Sequence, residues 1–169
     1  MADSDTMERP AIPHGTADNF VLQSFFPYLV RVYYRAVSDS VRAIYTSLFD
    51  LSVSEWRTMA VLGPHRSMSA GEIVAQSSMD KVNVSRAIKG LRQAGFLKRD
   101  IDGDDRRRAV LRLTEKGEEA FRVLVPLLRQ LEAELLHGLS DDDRATLLRL
   151  MDKVRKNAEA AIPCEPAER

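Results

Sequence analysis

Residues 80–114, DKVNVSRAIKGLRQAGFLKRDIDGDDRRRAVLRLT, combine two patterns that decide the fold. A helix with a polar face comes first, and an alternating segment that predicts a two-stranded hairpin with arginines at its tip follows directly. A helix of this size fits the major groove of DNA, and a basic loop fits the minor groove. The stretch therefore predicts a winged helix-turn-helix and indicates DNA binding.

Positive charge is concentrated in this stretch, although the chain as a whole is neutral. The 25 Lys and Arg residues balance 25 Asp and Glu residues, so no net charge attracts nucleic acid to the protein. Between Lys81 and Arg112, however, ten basic residues stand against four acidic ones, an excess of six. The charge is therefore segregated along the chain, with the basic part at the predicted DNA-binding elements.

Composition places the chain in the ordinary globular class. With 169 residues, 44% of them hydrophobic, it can form one core-bearing domain and additional helices. The single cysteine, Cys164, excludes an internal disulfide and a cysteine-based zinc cluster, and the three histidines are scattered. We expect no metal site and no cofactor. Because neither a leader-like N-terminus nor an apolar run of 18 residues is present, we expect a cytoplasmic protein without membrane contact.

Capping patterns predict where the helices start. Three pairs with the spacing of a capping box are Ser52 with Glu55, Ser69 with Glu72, and Ser140 with Asp143. Residues 1–18 contain two prolines and show no period, which predicts a disordered arm. After them an apolar stripe at three- and four-residue steps predicts a long helix with Pro27 in its first turn.

The remaining elements follow from caps and from a change of period. Asp80 caps a fourth helix over about 80–94, which Gly95 closes in a left-handed conformation. The hairpin spans about 96–113, and Thr114 caps a fifth helix that runs to about Leu139. The last helix is expected to bury four apolar residues: Leu147, Leu148, Met151 and Val154. The fold class is thus mainly α with a small β-hairpin wing.

The fourth helix divides into an apolar and a polar side. Val84, Ile88 and Leu91 are expected to face the core, with Ala87 beside them. The outer, DNA-binding side comprises Lys81, Val82, Asn83, Ser85, Arg86 and Lys89. Asn83 could bind adenine, Arg86 could bind guanine, and Val82 could contact a thymine methyl group. Ser85 and the two lysines are better suited to contact phosphates. The alternative is an amphipathic helix with a merely solvated face.

The predicted wing carries Asp105, Arg106, Arg107 and Arg108. Adjacent arginines repel one another at a hairpin tip unless an anion docks there, and an acid can orient one guanidinium toward the minor groove. The alternative is that the basic run serves only solubility.

At this point the chain resembles the MarR family of bacterial transcription regulators. The family's wing pattern is Asp, any residue, Arg, five residues, then Leu-Thr, and Asp105, Arg107, Leu113 and Thr114 match it. An upstream pattern of Ser-Arg, then Leu and Gly, is matched by Ser85, Arg86, Leu91 and Gly95. The resemblance covers about residues 27–157. It implies that Arg107 enters the minor groove braced by Asp105, while Arg106 and Arg108 contact phosphates.

The resemblance also implies a homodimer on a palindromic operator. The first, fifth and sixth helices of two chains would interlock, which agrees with a fifth helix too apolar for one domain. The segments are then a disordered arm (1–18), an N-terminal dimerisation helix (19–50), a winged helix-turn-helix lobe (51–114), C-terminal dimerisation helices (115–160) and a tail (161–169). Two recognition helices would enter successive major grooves.

Members of the family commonly sense aromatic acids or phenolics between the dimer helices and the DNA-binding lobe. The residues expected to line such a cleft are Tyr28, Arg31, Tyr33, Tyr34, Trp56 and Arg57. An arginine beside aromatic rings can pair a carboxylate, and Arg57 is the leading candidate. The alternative is that these aromatic residues belong to the core.

The function expected from these observations is a dimeric, ligand-responsive regulator, most often a repressor, released by an aromatic acid or its thioester. Two alternatives stay open: a winged-helix protein-interaction module without DNA binding, and a redox-responsive regulator acting through Cys164. An enzyme is not expected, since no nucleophile–base set, phosphate-binding glycine loop or carboxylate pair stands at a meaningful spacing.

Overall fold

A computed structural model describes residues 20–101 and 109–161. A short 3-10 turn, Leu22–Ser24, precedes six helices and two strands in these ranges. They are α1 (Phe26–Phe49), α2 (Val53–Leu62), α3 (Ala70–Ser77), α4 (Lys81–Gln93), β1 (Leu97–Ile101), β2 (Ala109–Leu113), α5 (Glu115–Leu135) and α6 (Asp141–Ala161). A mainly helical chain with a β-hairpin is thereby confirmed. Within these ranges no helix is both long enough and apolar enough to cross a membrane.

The chain separates into two compact units, and the division falls inside α1. The first unit ends at Ala36 and the second begins at Val37. In the first unit Phe20 and Phe25 form an edge-to-face pair with ring centroids 5.2 Å apart. The second unit contains the hydrophobic core, which includes Tyr45, Met59 and Leu124.

The predicted helix starts are confirmed at all three capping boxes. In two of them the serine hydroxyl accepts from the glutamate amide and the glutamate carboxylate accepts from the serine amide, at Ser52 with Glu55 and at Ser69 with Glu72. Ser140 and Asp143 make the same reciprocal bonds. Such bonds satisfy backbone donors that the first turn of a helix otherwise leaves unpaired.

The hairpin has the predicted antiparallel arrangement, with Leu97 opposite Leu113 and Ile101 opposite Ala109. The sequence did not predict a third partner. Met68, between α2 and α3, exchanges two backbone hydrogen bonds with Leu111, at 3.1 and 2.8 Å. These bonds fasten β2 to the helical part of the second unit.

One expectation about the C-terminal helices was wrong, and a second is not met within one chain. The fifth helix ends at Leu135 rather than near Leu139, and Gly138 with φ of 81° follows in the connecting turn. The apolar residues expected to be buried on the last helix are exposed within one chain: Leu147, Leu148, Met151 and Val154. Helical periodicity identifies an apolar face, but it does not say whether the same chain covers that face.

Candidate nucleic-acid interface

The helix α4 is fixed at its N-terminus by Asp80. The Asp80 Oδ1 atom accepts the backbone amide of Asn83 at 2.8 Å, as an N-cap does. This backbone hydrogen bond is the main cause that lowers the pKa of Asp80 from its ordinary value of 3.8. The carboxylate therefore stays charged at the positive end of the helix dipole, where a negative charge is stabilising.

The inner side of α4 packs as the sequence predicts. Val84, Ala87 and Leu91 are buried, and Ile88 is partly buried against the core. A stripe of this kind holds the helix through apolar burial, at about 1.5–3 kcal/mol for each large side chain. The orientation of the helix in the lobe is therefore set by its inner side, and its outer side is free for other contacts.

All six predicted DNA-contacting side chains of α4 lie on the exposed side; they are Lys81, Val82, Asn83, Ser85, Arg86 and Lys89. We call this set the recognition surface. Val82 is 58% exposed, which is high for an apolar residue on a well-packed helix. From Lys81 to Arg99 the sequence contains six basic residues and no acidic residue. The outer side of α4 thus combines an apolar contact, an amide and a positive field.

Asn83 has a partner that sequence reasoning missed. Its Nδ2 atom donates to Asp80 Oδ2 at 2.6 Å, so one residue caps the helix and also holds the amide. To read the edge of a base with both amide groups, Asn83 has to turn away from this carboxylate. The spacing of the two residues could have indicated this hydrogen bond, because an Asp three residues before an Asn at a helix start brings the two side chains together.

The C-terminal end of α4 is tied to the start of α5. Gly95 adopts the predicted left-handed conformation, with φ of 78°. Its carbonyl accepts from Thr114 Oγ1 at 2.6 Å, and the carbonyl of Ala94 accepts from Lys116 Nζ at 2.7 Å. The Lys116 ammonium also lies 4.4 Å from the centroid of the Phe96 ring. The sequence singled out Thr114 as a helix cap, but the bonds across to α4 are visible only in the structure.

The base of the wing lies within the described residues, but its tip does not. Arg112 and Asp100 approach to 3.9 Å across the two strands. The four predicted wing contacts, Asp105, Arg106, Arg107 and Arg108, lie outside the described residues, as do the arm at 1–18 and Cys164.

The residues predicted to line an effector cleft fall in both units. Tyr28, Arg31, Tyr33 and Tyr34 belong to the first unit, where Tyr28 is partly buried and the other three are exposed. Trp56 and Arg57, both partly buried, belong to the second unit.

Trp56 packs in an aromatic stack inside the second unit. Its ring lies 6.0 Å from that of Tyr45 and 6.4 Å from that of Phe121, with interplanar angles of 18° and 26°. Offset stacking of this kind stabilises a core by about 0.5–1.5 kcal/mol per pair beyond area burial. Trp56 therefore has a packing role within its own chain.

Known proteins are similar to this chain in sequence. The family model described as "MarR family" matches residues 49–108. The HTH-type transcriptional regulator BilQ from Clostridium symbiosum is 30% identical over 101 residues, which are 60% of this chain and 70% of BilQ.

Solved structures share the fold at lower sequence identity. A MarR/EmrR family transcriptional regulator from Acinetobacter has a TM-score of 0.74 at 23% identity, covering 83% of this chain and 99% of that one. BpsR from Bordetella bronchiseptica, whose DNA binding is regulated by 6-hydroxynicotinic acid, has a TM-score of 0.70 at 20% identity, covering 80% and 96%. The chain belongs to the MarR family of winged-helix transcriptional regulators.

Proposed function

We propose that this regulator is a homodimer that binds a palindromic operator, represses transcription and is released by a small anionic aromatic compound. The proposal that α4 contacts the bases of DNA rests on the recognition surface. Its six side chains are exposed, while the opposite side of the same helix is buried. The absence of acidic residues from Lys81 to Arg99 supports contact with a polyanion, because phosphate neutralisation supplies much of DNA affinity.

Exposed apolar residues support the dimer. On α6, Leu148 is 68% exposed and Met151 is 61% exposed. In the first unit, Phe20 is 64% exposed, and Phe25 and Phe26 are also exposed. Large apolar side chains that cluster on the surface of one chain commonly mark a contact with another chain. The proposed division into an N-terminal dimerisation helix, a DNA-binding lobe and C-terminal dimerisation helices agrees with this distribution.

A relative and one side chain support the class of effector. BpsR responds to 6-hydroxynicotinic acid, which is a hydroxylated aromatic carboxylic acid. In this chain Arg57 is partly buried beside Trp56, and a partly shielded guanidinium suits a carboxylate. Because Trp56 stacks on Tyr45 and Phe121, we assign it a fixed position in the wall of the proposed effector site.

An exposed basic surface disfavours the principal alternative. A winged-helix module that binds protein instead of DNA should present a neutral or apolar outer side on α4, and five of the six residues of the recognition surface are polar or charged. Cys164, on which redox regulation would depend, lies outside the described residues.

A gel-shift assay on DNA selected from a random pool tests the proposal. We expect a palindromic selected sequence and a complex containing two chains. The triple variant Lys81→Gln, Arg86→Gln and Lys89→Gln should lose most of the affinity. The matched control replaces Arg66, Arg129 and Arg149, which are exposed cations outside the recognition surface, by Gln. Equal loss in both triple variants would refute a specific role for α4.

Adding a panel of aromatic acids and their thioesters to the same assay tests release. We expect one chemical class to dissociate the complex, and Arg57→Gln to raise the concentration needed by about tenfold or more, since removing one member of a charged pair costs a few kcal/mol. A promoter–reporter assay separates repression from activation: deletion of the gene should raise transcription from the selected operator.

A further inference from the structure

A second basic surface lies at the C-terminal end of α4, beside the recognition surface. An open groove of about 500 Å³ is lined by Lys89, Arg92, Gln93, Leu97, Lys98 and Arg99. Leu97 is buried, whereas the four cationic side chains are exposed. We call these six residues the basic groove.

The basic groove carries four positive charges. Among the described residues, none of the four cations makes an ion pair with a carboxylate. The first acidic residue after Arg99 is Asp100, which approaches Arg112 to 3.9 Å. Like charges gathered around one groove repel each other over a screening length of about 8–10 Å at moderate salt. An anion that enters the groove therefore relieves this repulsion and is attracted by all four groups.

The basic groove continues the recognition surface along the same helix. Val82, Arg86, Lys89 and Gln93 follow one another at steps of four, three and four residues, so they form one line on the outer side of α4. Lys89 belongs to both surfaces. At a rise of about 1.5 Å per residue, the line from Lys89 to Gln93 adds about 6 Å. This length corresponds to roughly two base pairs at about 3.4 Å per phosphate of one strand.

The shape of the groove favours an extended anion over a small one. Sites for small ligands usually enclose most of the ligand surface, and this groove is open with exposed cations. A phosphodiester backbone, by contrast, can lie along exposed cations and gains affinity through the release of its condensed counterions. We propose that the basic groove binds the phosphodiester backbone of DNA adjacent to the base pairs that the recognition surface reads. This inference rests on the proposed function.

The salt dependence of DNA binding tests the inference directly. The variant is Lys98→Gln with Arg99→Gln, and the matched control, with the same loss of charge, is Arg66→Gln with Arg129→Gln. Each lost phosphate contact reduces the slope of log affinity against log salt by about 0.9. The groove variant should therefore lower the slope by about 1.8, and its deficit should shrink about tenfold between 50 and 200 mM salt. Lys98→Arg with Arg99→Lys preserves the charge and should keep the wild-type slope.

A duplex scan locates the contact. Single uncharged methylphosphonate linkages are placed in turn along each strand of the selected operator. Wild-type protein should lose affinity at one or two phosphates next to the bases protected by α4, and the groove variant should be insensitive at those positions.

The outcomes separate this inference from the proposed function. If the wild-type chain binds no DNA at all, the proposed function fails. If it binds normally while the groove variant keeps the wild-type slope and phosphate profile, only the inference is overturned. Loss of binding to polyglutamate in the groove variant, with DNA binding unchanged, also overturns it, because the groove would then serve an acidic protein partner.

Discussion

The Glu55 carboxylate lies directly against the Cα of Gly90, so that a Cβ atom at position 90 would occupy the space of Glu55 Oε1. The same carboxylate accepts the backbone amide of Ser52 at 2.8 Å through its other oxygen. The Glu55 carboxylate therefore closes the capping box that starts α2 and also packs against α4 at Gly90. A glycine in a helix normally weakens it by about 1 kcal/mol relative to alanine, and here it allows the close approach of α2 and α4.

We expect Gly90→Ala to destabilise the protein by about 1–3 kcal/mol, because overpacking at this crossing outweighs the gain in helix propensity. Urea unfolding measures the change. Glu55→Ala alone should cost about 1 kcal/mol through the lost capping box. In the double variant, the alanine methyl group at position 90 occupies the space that Glu55 leaves. The loss of stability should therefore be smaller than the sum of the losses in the two single variants. Gly71→Ala, at an exposed position of α3 where a Cβ meets only the far Ser69 hydroxyl, is the control and should not destabilise the protein. Strictly additive costs of Gly90→Ala and Glu55→Ala would contradict the contact.

Lys116 connects α5 to the C-terminal end of α4, and its loss should loosen that connection. Lys116→Met keeps the length of the side chain but removes the bond to the Ala94 carbonyl and the charge over Phe96. We expect a stability loss of about 0.5–1.5 kcal/mol. Hydrogen exchange in the last turn of α4 should become faster, whereas the first turn should change little. Uniform acceleration over the whole helix would argue against a local tie.

The Asp80 cap should make α4 sensitive to acid. The hydrogen bond from the Asn83 amide lowers the pKa of Asp80 below 3.8 in the folded state. The stability that this charged cap contributes is therefore fully present above pH 3.8. It is lost as the pH falls through the folded-state pKa. Carboxyl NMR titration should show this depressed pKa. Asp80→Asn retains a neutral cap and should remove this part of the pH dependence; an Asp80 pKa at or above 3.8 would contradict the cap.

A charge on the exposed apolar side of α6 should weaken the proposed dimer. Leu148→Glu is expected to raise the dimer dissociation constant by about a hundredfold, since burying an unpaired carboxylate costs several kcal/mol. Sedimentation equilibrium measures it. Ala160→Glu introduces the same charge about 120° or more around α6 from each of the four apolar residues, and it serves as the control. If both variants dimerise like the wild type, this side of α6 does not form the interface.

The two predicted modes of DNA contact should respond differently to mutation. Arg107→Ala should weaken binding to all sequences and flatten the salt dependence, because a wing contact to the backbone or groove carries little base information. Asn83→Ala should instead relax the preference at particular base pairs, by about 1–3 kcal/mol of discrimination. Repeating the DNA selection with each variant distinguishes the two. A changed consensus with Arg107→Ala, together with an unchanged one for Asn83→Ala, would reverse the assignment.

Local chemistry made much of the fold predictable. A serine and a glutamate three residues apart form the reciprocal bonds of a capping box when a helix begins between them, so Ser52 and Ser69 indicate helix starts from local sequence alone. The buried side of α4 was predictable for a similar reason, since the helical period places Val84, Ala87 and Leu91 together. The six residues of the recognition surface all belong to the exposed side that this pattern leaves over.

Contacts between distant residues were not predictable in this way. The bond between Met68 and Leu111, and the bond from Lys116 to the Ala94 carbonyl, join segments that no local pattern relates. The sequence also misled on α6, where an apolar stripe indicated burial and the single chain leaves the stripe exposed.

By itself, then, the sequence determined where each helix starts, which side of α4 faces the core, and the resemblance that identifies the family, because caps, periodicity and motifs act over a few residues. Only the tertiary structure decided that Glu55 packs on Gly90, that Asn83 shares the Asp80 carboxylate, and that β1 and α4 gather four cations around one groove. Each of these depends on how closely two elements approach, and that distance is set by the packing of the whole core.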